Sequence, residues 1–351
     1  MQTRALLPSA HPRHTTPAGD NRPAWAVAFD EAGPIDVSVC IANWNCLTDL
    51  RDCLTSLQDY PQGVSLETIV VDNASVDGAP EMVAREFPEV ILIRNAVNAG
   101  FARASNQAAA VASGRYLFFL NNDTVTPAYS LRQLVQYADA HPDVGMIGPR
   151  LRDSRGQLQI SFRRKPTLAA MLHRTAILNW TRLFRRGYEE YRRNHFDPVA
   201  ERQVEVLMGA AVLMPRPVFE RCGRWDEDFR FGVEDIELSV RVGRTHRLIY
   251  LPHVEIQHRG RLSSRSNVTF AAPNLLIGYV HYFRKVGASR LSLFAYKLVV
   301  TIDTPLRIAI KTGQVACRRL LGRDAQAERS RNSLRGLWHF LRHDLPRFWR
   351  A

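Results

Sequence analysis

From residue 35 onward, short apolar runs alternate with segments in which leucine or alanine returns at helical spacing. Residues 37–42 form a strand-like apolar run, after which Leu47, Leu50, Leu54 and Leu57 mark one face of a helix. Residues 66–71 predict a second strand, 81–87 a short helix and 90–93 a third strand. An Ala-rich helix over 101–112 and a fourth strand over 116–120 follow. Residues 127–140 read as a helix with Pro127 at its start, where the missing N–H costs nothing, and 144–147 as another strand. Apolar runs of fully buried type, alternating with helices, predict an α/β fold: a mostly parallel sheet covered by helices on both faces.

The alternation breaks at 151–203, where basic and aromatic residues dominate and Leu168, Met171, Leu172, Ile177, Leu178 and Trp180 predict one or two helices. Order returns at 204–214, followed by a short helix, an acidic helix start at Glu234, and strands near 248–251 and 254–257. Beyond about 270 the chain reads as helices carrying arginine. Residues 1–34, rich in Pro, Thr, Ala and His without periodicity, predict a disordered leader. The expected organisation is therefore a leader over 1–34, an α/β domain over 35–270 with an insertion at 151–203, and a basic, amphipathic helical region over 271–351.

Length and charge sharpen this. A chain of 351 residues has room for two domains, or one large domain with additions. Lys plus Arg number 47 against 34 acids, a net +13 to which only four lysines contribute. Such an excess points to an anionic partner: nucleic acid, a nucleotide substrate or an acidic membrane surface. The five cysteines form an odd, scattered set without a CxxC pair. Cys40 falls in an apolar run and Cys53 on an apolar helix face, so buried free thiols in a reducing compartment are expected rather than a zinc site or disulfide scaffold. The first residues lack the apolar core of a signal peptide and no run of 18 apolar residues occurs, so the expected location is the cytoplasm.

Ligands of open parallel sheets bind beyond the carboxyl ends of the strands. Four such ends carry polar residues here: Asn43-Trp44-Asn45, Asp72-Asn73, Asn95 with Asn98, and Asn121-Asn122-Asp123. Asn and Asp favour turns by themselves, but four polar ends on one sheet edge are hard to assign to turn chemistry alone. No GxGxxG or GxxxxGK[ST] loop follows the first strand, which disfavours dinucleotide dehydrogenases and P-loop NTPases. Asp123 follows an apolar strand and could hold Mg2+ or Mn2+ together with substrate phosphates, or could simply cap the next helix. Glu234, Asp235 and Glu237 occupy the first turn of a predicted helix; they suit its dipole, or include a general base facing a cleft. His258 ends a predicted strand and is either a structural hydrogen-bonder or a metal imidazole.

Longer stretches carry a specific resemblance: VSVCIANWNCLTDLRDCLTSL (37–57), ETIVVDNASVDG (67–78) and RNAVNAGFARASNQAAAVASGRYLFFLNNDT (94–124). MGAAVLMPRPVFERCGRWDEDFRFGVEDIELSVRV (208–242) and LPHVEIQHRGRLS (251–263) continue it. This text, over about two-thirds of the chain, resembles the inverting family-2 glycosyltransferases of GT-A fold, a group that includes bacterial rhamnosyl- and galactofuranosyltransferases. The resemblance implies that Asn43 and Asp72, with Asn45, hold the base and ribose of a nucleotide. Asn98, Gly100 and Asn106 would pack against the nucleotide-sugar, with Asn122 beside them. Asp123, at the DxD position, and His258 would hold a divalent metal, Mg2+ or Mn2+. Asp235 would be the catalytic base, oriented by Glu234, and Ser263 would meet phosphate on a mobile loop carrying Arg259, Arg261 and Arg265. The 151–203 insertion would lie near the acceptor. Departures from the family pattern are Asn121 for the first Asp of DxD, Trp44-Asn45 where Tyr-Asn is frequent, and Glu237 where Asp is common.

The implied activity moves a sugar from a nucleoside-diphosphate sugar, of dTDP-rhamnose or UDP-hexose type, to a hydroxyl of a glycan or lipid-linked glycan in cell-surface polysaccharide biosynthesis. A sugar-nucleotide nucleotidyltransferase is the alternative, disfavoured because NWNCLTD after the first strand has no Gly or cation. A nucleic-acid binder is weaker still, since the basic residues lie outside the α/β core and no such motif is present. In the tail, Leu334, Leu337, Trp338, Leu341, Leu345, Phe348 and Trp349 form an apolar stripe among nine arginines over 318–350. A Trp/Phe/Leu face opposite Arg suits an anionic membrane surface, so a peripheral position on the inner face of the cell membrane is expected, with packing on the domain as the other reading.

Overall fold

Strand β1 (Val37–Asn43) pairs in parallel with β2 (Leu66–Asp72) on one side and β4 (Tyr116–Asn121) on the other, in a computed structural model of the chain. The structure describes residues 34–192, 199–260 and 267–351, and Ile35–Ala351 makes one compact unit. Helix α1 (Leu47–Asp59) links β1 to β2, α2 (Ala79–Glu86) leads to β3 (Ile91–Arg94), and α3 (Phe101–Val111) crosses back to β4. The sheet order is β3-β2-β1-β4-β11-β6-β12-β5, so the connections reverse direction at β1 and β4. That reversal opens a crevice at the strand ends. The register aligns Asn43 with Asp72 and Ala42 with Asn121, bringing three polar strand ends to one edge.

Alternate strand residues feed two cores. Val37, Val39 and Ile41 join Leu50, Leu54, Val83 and Leu134 on one face. Cys40, Ile69 and Val71 join Ala104, Ala108, Phe119 and Trp225 on the other. Each buried aliphatic side chain stabilises the fold by roughly 1.5–3 kcal/mol. Ala104 and Ala108, one helical turn apart, let α3 lie close on the sheet. Cys40, Cys46 and Cys53 are buried free thiols, as expected, whereas Cys317 is exposed.

Several boundaries differ from the sequence expectation. The helix expected at 127–140 is α4 (Ser130–Ala140) and starts later, because Tyr129 turns left-handed at φ 61 and ties its N–H to Pro61. Thr124–Val125 instead forms a two-residue strand, β5, antiparallel to the end of β12. The strand expected at 144–147 is β6 (Val144–Arg152), extended to pair with β7 (Leu158–Gln159) and β12. Among its described residues the insertion holds three short helices: α5 (Leu168–Leu172), α6 (Ala176–Trp180) and α7 (Arg185–Arg192). β8 (Phe162–Arg163) pairs with β10 (Val206–Leu207), and β9 (Arg202–Gln203) with β12. β11 (Ala211–Pro215) enters antiparallel between β4 and β6, followed by α8 (Arg216–Arg221) and α9 (Glu234–Val242). The two strands expected near 248–257 are one, β12 (Arg247–His258), with a register shift between Leu251 and Glu255.

The expected domain boundary at 270 falls inside α10 (Val268–Lys285). α11 (Arg290–Leu320), α12 (Asp324–His339), a π-helical turn at Phe340–Asp344 and α13 (Leu345–Arg350) complete the chain. They share a third core with the insertion, in which Tyr191, Val233 and Ile236 meet Tyr279, Phe340 and Phe348. Part of the tail stripe therefore packs on the protein: Leu345, Phe348 and Trp349 join this core, while Trp338 is 41% exposed. Phe348 is fully buried, and Trp349 donates its indole N–H to Thr301 at 3.2 Å. Among the described residues, no helix is long and apolar enough to cross a membrane. The leader expected over 1–34 lies almost wholly outside the described residues.

Candidate active site

A cleft of about 310 Å3 opens at the strand ends, walled by Trp44, Asn73, Asn98, Asn121–Asp123, Gly209, Arg230, Glu234, Asp235 and His258. Its floor is a buried network. Asn43 donates to Asp72 Oδ1 at 2.9 Å and accepts from Asn122 at 2.7 Å, while Asp72 Oδ2 accepts from the Ser75 N–H. These bonds lock β1, β2 and β4 together and satisfy groups whose burial would otherwise be costly. Asn43 and Asp72 lie beneath the cleft and do not line it. Asn45, at φ 50, accepts from the Val76 N–H and holds the loop after β2.

The second wall begins at Gly100. Its φ of +86 favours glycine, and a Cβ there would sit 2.9 Å from the Arg230 carbonyl. Asn98 accepts from the Gly100 N–H, and Asn73 donates to the Gly100 carbonyl. Asn106, expected at the nucleotide-sugar, instead staples α3 to the segment after α8. Its amide donates to Trp225 O and Glu227 and accepts from Trp225 N, and it does not line the cleft. Trp44, Phe270 and Phe231 form an aromatic rim with ring centroids 6.1 and 6.0 Å apart.

Pairing of β5 with β12 carries Asp123 to His258. Asp123 Oδ1 lies 3.3 Å from His258 Nε2, and Oδ2 accepts from the Gly260 N–H at 3.0 Å. Gln159 donates to the His258 carbonyl, so its amide oxygen faces Nδ1 at 2.8 Å and places the ring proton there. The hydrogen-bond network thus leaves the Nε2 lone pair facing a carboxylate oxygen, with the Asn121 amide 3.3 Å away. Two adjacent lone-pair donors with the far ring nitrogen anchored fit a divalent cation, whose remaining positions substrate phosphates and water would fill. No cluster of three or more His, Cys, Asp or Glu with metal-binding geometry occurs among the described residues.

Across the cleft, Gly232 and Val233 turn left-handed at φ 68 and 85 and aim the first residues of α9 inward. For a β-branched residue this is a strained conformation. Asp235 accepts from the Gly209 and Ile236 N–H groups at 3.2 and 2.8 Å. Burial raises its pKa, and the positive charge of Arg163 and these N–H groups oppose the rise. Burial and the charge of Asp235 push Glu234 up to about 8. Glu234 Oε2 makes no hydrogen bond. Arg163 is held by Tyr191, to whose hydroxyl it donates at 3.1 Å, and Tyr191 in turn meets Tyr279.

Residues 38–204 match the family model described as Glycosyl transferase family 2. This segment belongs to that family. The chain is 28% identical over 206 residues to the N-acetylglucosaminyl-diphospho-decaprenol L-rhamnosyltransferase of Mycobacterium tuberculosis, across 55% of this chain and 66% of that protein. It is 26% identical over 320 residues to the O-antigen biosynthesis protein RfbC of Myxococcus xanthus, across 85% of this chain and 23% of that one. The chain therefore spans just under two-thirds of the first relative's length and about a quarter of the second's. Among solved structures it is similar to GalNAc-T7 with UDP, GalNAc and Mn2+, at TM-score 0.52 and 17% identity, covering 72% of this chain and 48% of that one. S. aureus TarS gives TM-score 0.50 at 15% identity, covering 90% and 54%. These likenesses establish the fold, the GT-A type of α/β sheet expected from the sequence.

The structure brings Asn98, Gly100, Asn122, Asp123, Glu234, Asp235 and His258 to one cleft, although the last three lie beyond the matched family-2 segment. Ser263, Arg261 and Arg265 lie outside the described residues. Arg259 is turned away, paired with Asp49 and Asp52 of α1 at 2.8 and 2.6 Å. Sequence reasoning missed Arg163, Gln159 and Gly209, because each meets its partner through non-local pairing of short strands. It also missed Arg230, a cation on the cleft wall, which stands four residues before the acidic helix start at Glu234.

Proposed function

We propose that the protein transfers a sugar, with inversion, from a nucleoside-diphosphate sugar to a hydroxyl of a glycan or lipid-linked glycan in polysaccharide biosynthesis. The observation that carries this reading is one cleft with a proton-accepting carboxylate, Asp235, on one wall and the Asp123–His258 pair on the other. An acceptor hydroxyl beside Asp235 gives up its proton to the carboxylate as its oxygen attacks the anomeric carbon. The bond from that carbon to the diphosphate breaks on the opposite side. A divalent ion, Mg2+ or Mn2+, held by Asp123 and His258 would neutralise the departing diphosphate. Arg230, beside Gly100, adds a protein cation to the same cleft, and the aromatic rim of Trp44, Phe231 and Phe270 limits water. Asn98 and Gly100 present the loop against which the nucleotide-sugar packs. Asn43, Asn45, Asp72 and Asn122 set its floor.

The names of the relatives favour dTDP-rhamnose or a UDP-hexose as donor and a polyprenyl-diphosphate-linked glycan as acceptor. A lipid-linked acceptor and a net charge of +13 together favour a peripheral position on the inner face of the cell membrane. Calorimetric titration with UDP, dTDP, GDP and their sugars, with and without Mn2+, tests the donor. Metal-enhanced binding of one nucleotide, lost in Asp123→Ala, is the expected result. Asp235→Asn should bind that nucleotide normally and lose about 100- to 10,000-fold in transfer rate; retained transfer removes Asp235 as the base.

A further inference from the structure

Leu345, Phe348 and Trp349 of the tail stripe are held in internal packing, whereas the outer face of α11 is left open. α11 buries Leu293, Tyr296, Val300 and Ile308 against its neighbours. On its outer side Leu291, Phe294, Leu298, Ile302, Leu306 and Ile310 are 77, 52, 41, 59, 38 and 42% exposed. Their spacing of three or four residues makes one ridge about 30 Å long at the helical rise. Four positions from Leu291 through Gly313 carry a charge, Lys297, Asp303, Arg307 and Lys311, and each is at least partly buried. Lys297 donates to Trp349 O, Asp303 accepts from Ala176 N–H at 2.6 Å with Arg307 Nε 3.9 Å away, and Lys311 donates to Gln314. The Asp303 bond docks α6 beside the ridge, where Ile177 and Trp180 are 46 and 85% exposed.

We infer that this α11–α6 face is the surface on which the protein lies against an anionic lipid bilayer. The inference rests on the peripheral-membrane reading above and assigns it to a face other than the tail. Three observations select a bilayer over a protein partner. The apolar face is a ridge along one helix, not a groove to receive another. Exposed arginines flank it, with Arg284 and Arg290 at its start, Arg319 and Arg323 at its end and Arg182 beside Trp180. From Asn267 to Ala351 the chain carries 15 Arg and Lys against four acids. A second copy brought face to face would set these cations against their own kind. Anionic headgroups would pair with them, while the ridge enters the acyl boundary.

The test is flotation of the full chain with vesicles of phosphatidylcholine alone or with phosphatidylglycerol. The wild type should float with the anionic vesicles and far less with the neutral ones. Leu298→Glu/Ile302→Glu should reduce that partition by about tenfold or more, with thermal melting and nucleotide binding unchanged, as expected for exposed positions. Trp338→Ala, at the exposed edge of the tail, should float like the wild type. Phe294→Ser/Trp180→Ser checks the same face without adding charge. If the wild type floats and both face variants float equally, the membrane reading stands and this face is wrong. If the wild type does not float at all, both fall. A dimer seen by light scattering that ignores vesicles and dissociates in the Glu variant would assign the ridge to a second copy and overturn the inference.

Discussion

Glu234 and Asp235 are sequence neighbours in opposite electrostatic situations. Asp235 has Arg163 and two backbone N–H groups to support its charge, whereas Glu234 Oε2 has no partner. The charge therefore goes first to Asp235, and Glu234, whose pKa is pushed up to about 8, holds its proton longer. Glu234→Gln should leave the acid limb of the kcat/KM profile in place and abolish the titration near pH 8. A profile identical to the wild type would contradict this division. Because the folded pKa of Glu234 is raised from 4.5, the stabilisation linked to its proton is complete below 4.5 and lost as pH rises toward 8. Glu234→Gln should flatten that part of the stability curve, measured by urea unfolding at several pH values. Arg163→Met removes the cation that offsets burial of Asp235, so the acid limb should move to higher pH. Unchanged limbs would leave Arg163 a purely structural residue. No local pattern around Arg163 announces this role, since β8 and β10 bring it to α9 from 72 residues away.

At the scale of elements, β1, α1, β2, α3 and β4 were legible because their apolar residues repeat with a clear period and their partners follow in order along the chain. β5 was not legible. Two residues have no period, and its partner, the end of β12, lies more than 130 residues on. The pairing nevertheless creates the Asp123–His258 contact. Asn106 shows the converse: a polar residue in a specific motif that serves to tie α3 to Trp225. The glycine turn before α3 is more demanding still. Gly100→Ala places a Cβ against the Arg230 carbonyl in a left-handed backbone. It should cost about 1–3 kcal/mol in urea unfolding and weaken nucleotide binding. A variant that unfolds and binds like the wild type would show that the contact with Arg230 is not required.

For the molecule as a whole, the C-terminal helices form a core with the insertion and the acidic turn. Gly278 of α10 lies so close to the strained turn that a Cβ there would be 3.0 Å from Gly232 O. Phe348, near the end of the chain, is fully buried in the same core. Phe348→Ala should therefore lower stability by about 3–5 kcal/mol, seen as a shift in the denaturant midpoint. A tail lying free on lipid would show almost none. The sequence alone determined the parallel strands β1 to β4 and their polar ends, because period, burial type and turn residues are local properties. It also placed the acids and histidine that could do chemistry. Only the tertiary structure decided which of them share a cleft, which apolar stripe is buried and which faces outward. Those outcomes depend on pairing and packing between segments far apart in the chain, where an amphipathic pattern names a face without naming what covers it.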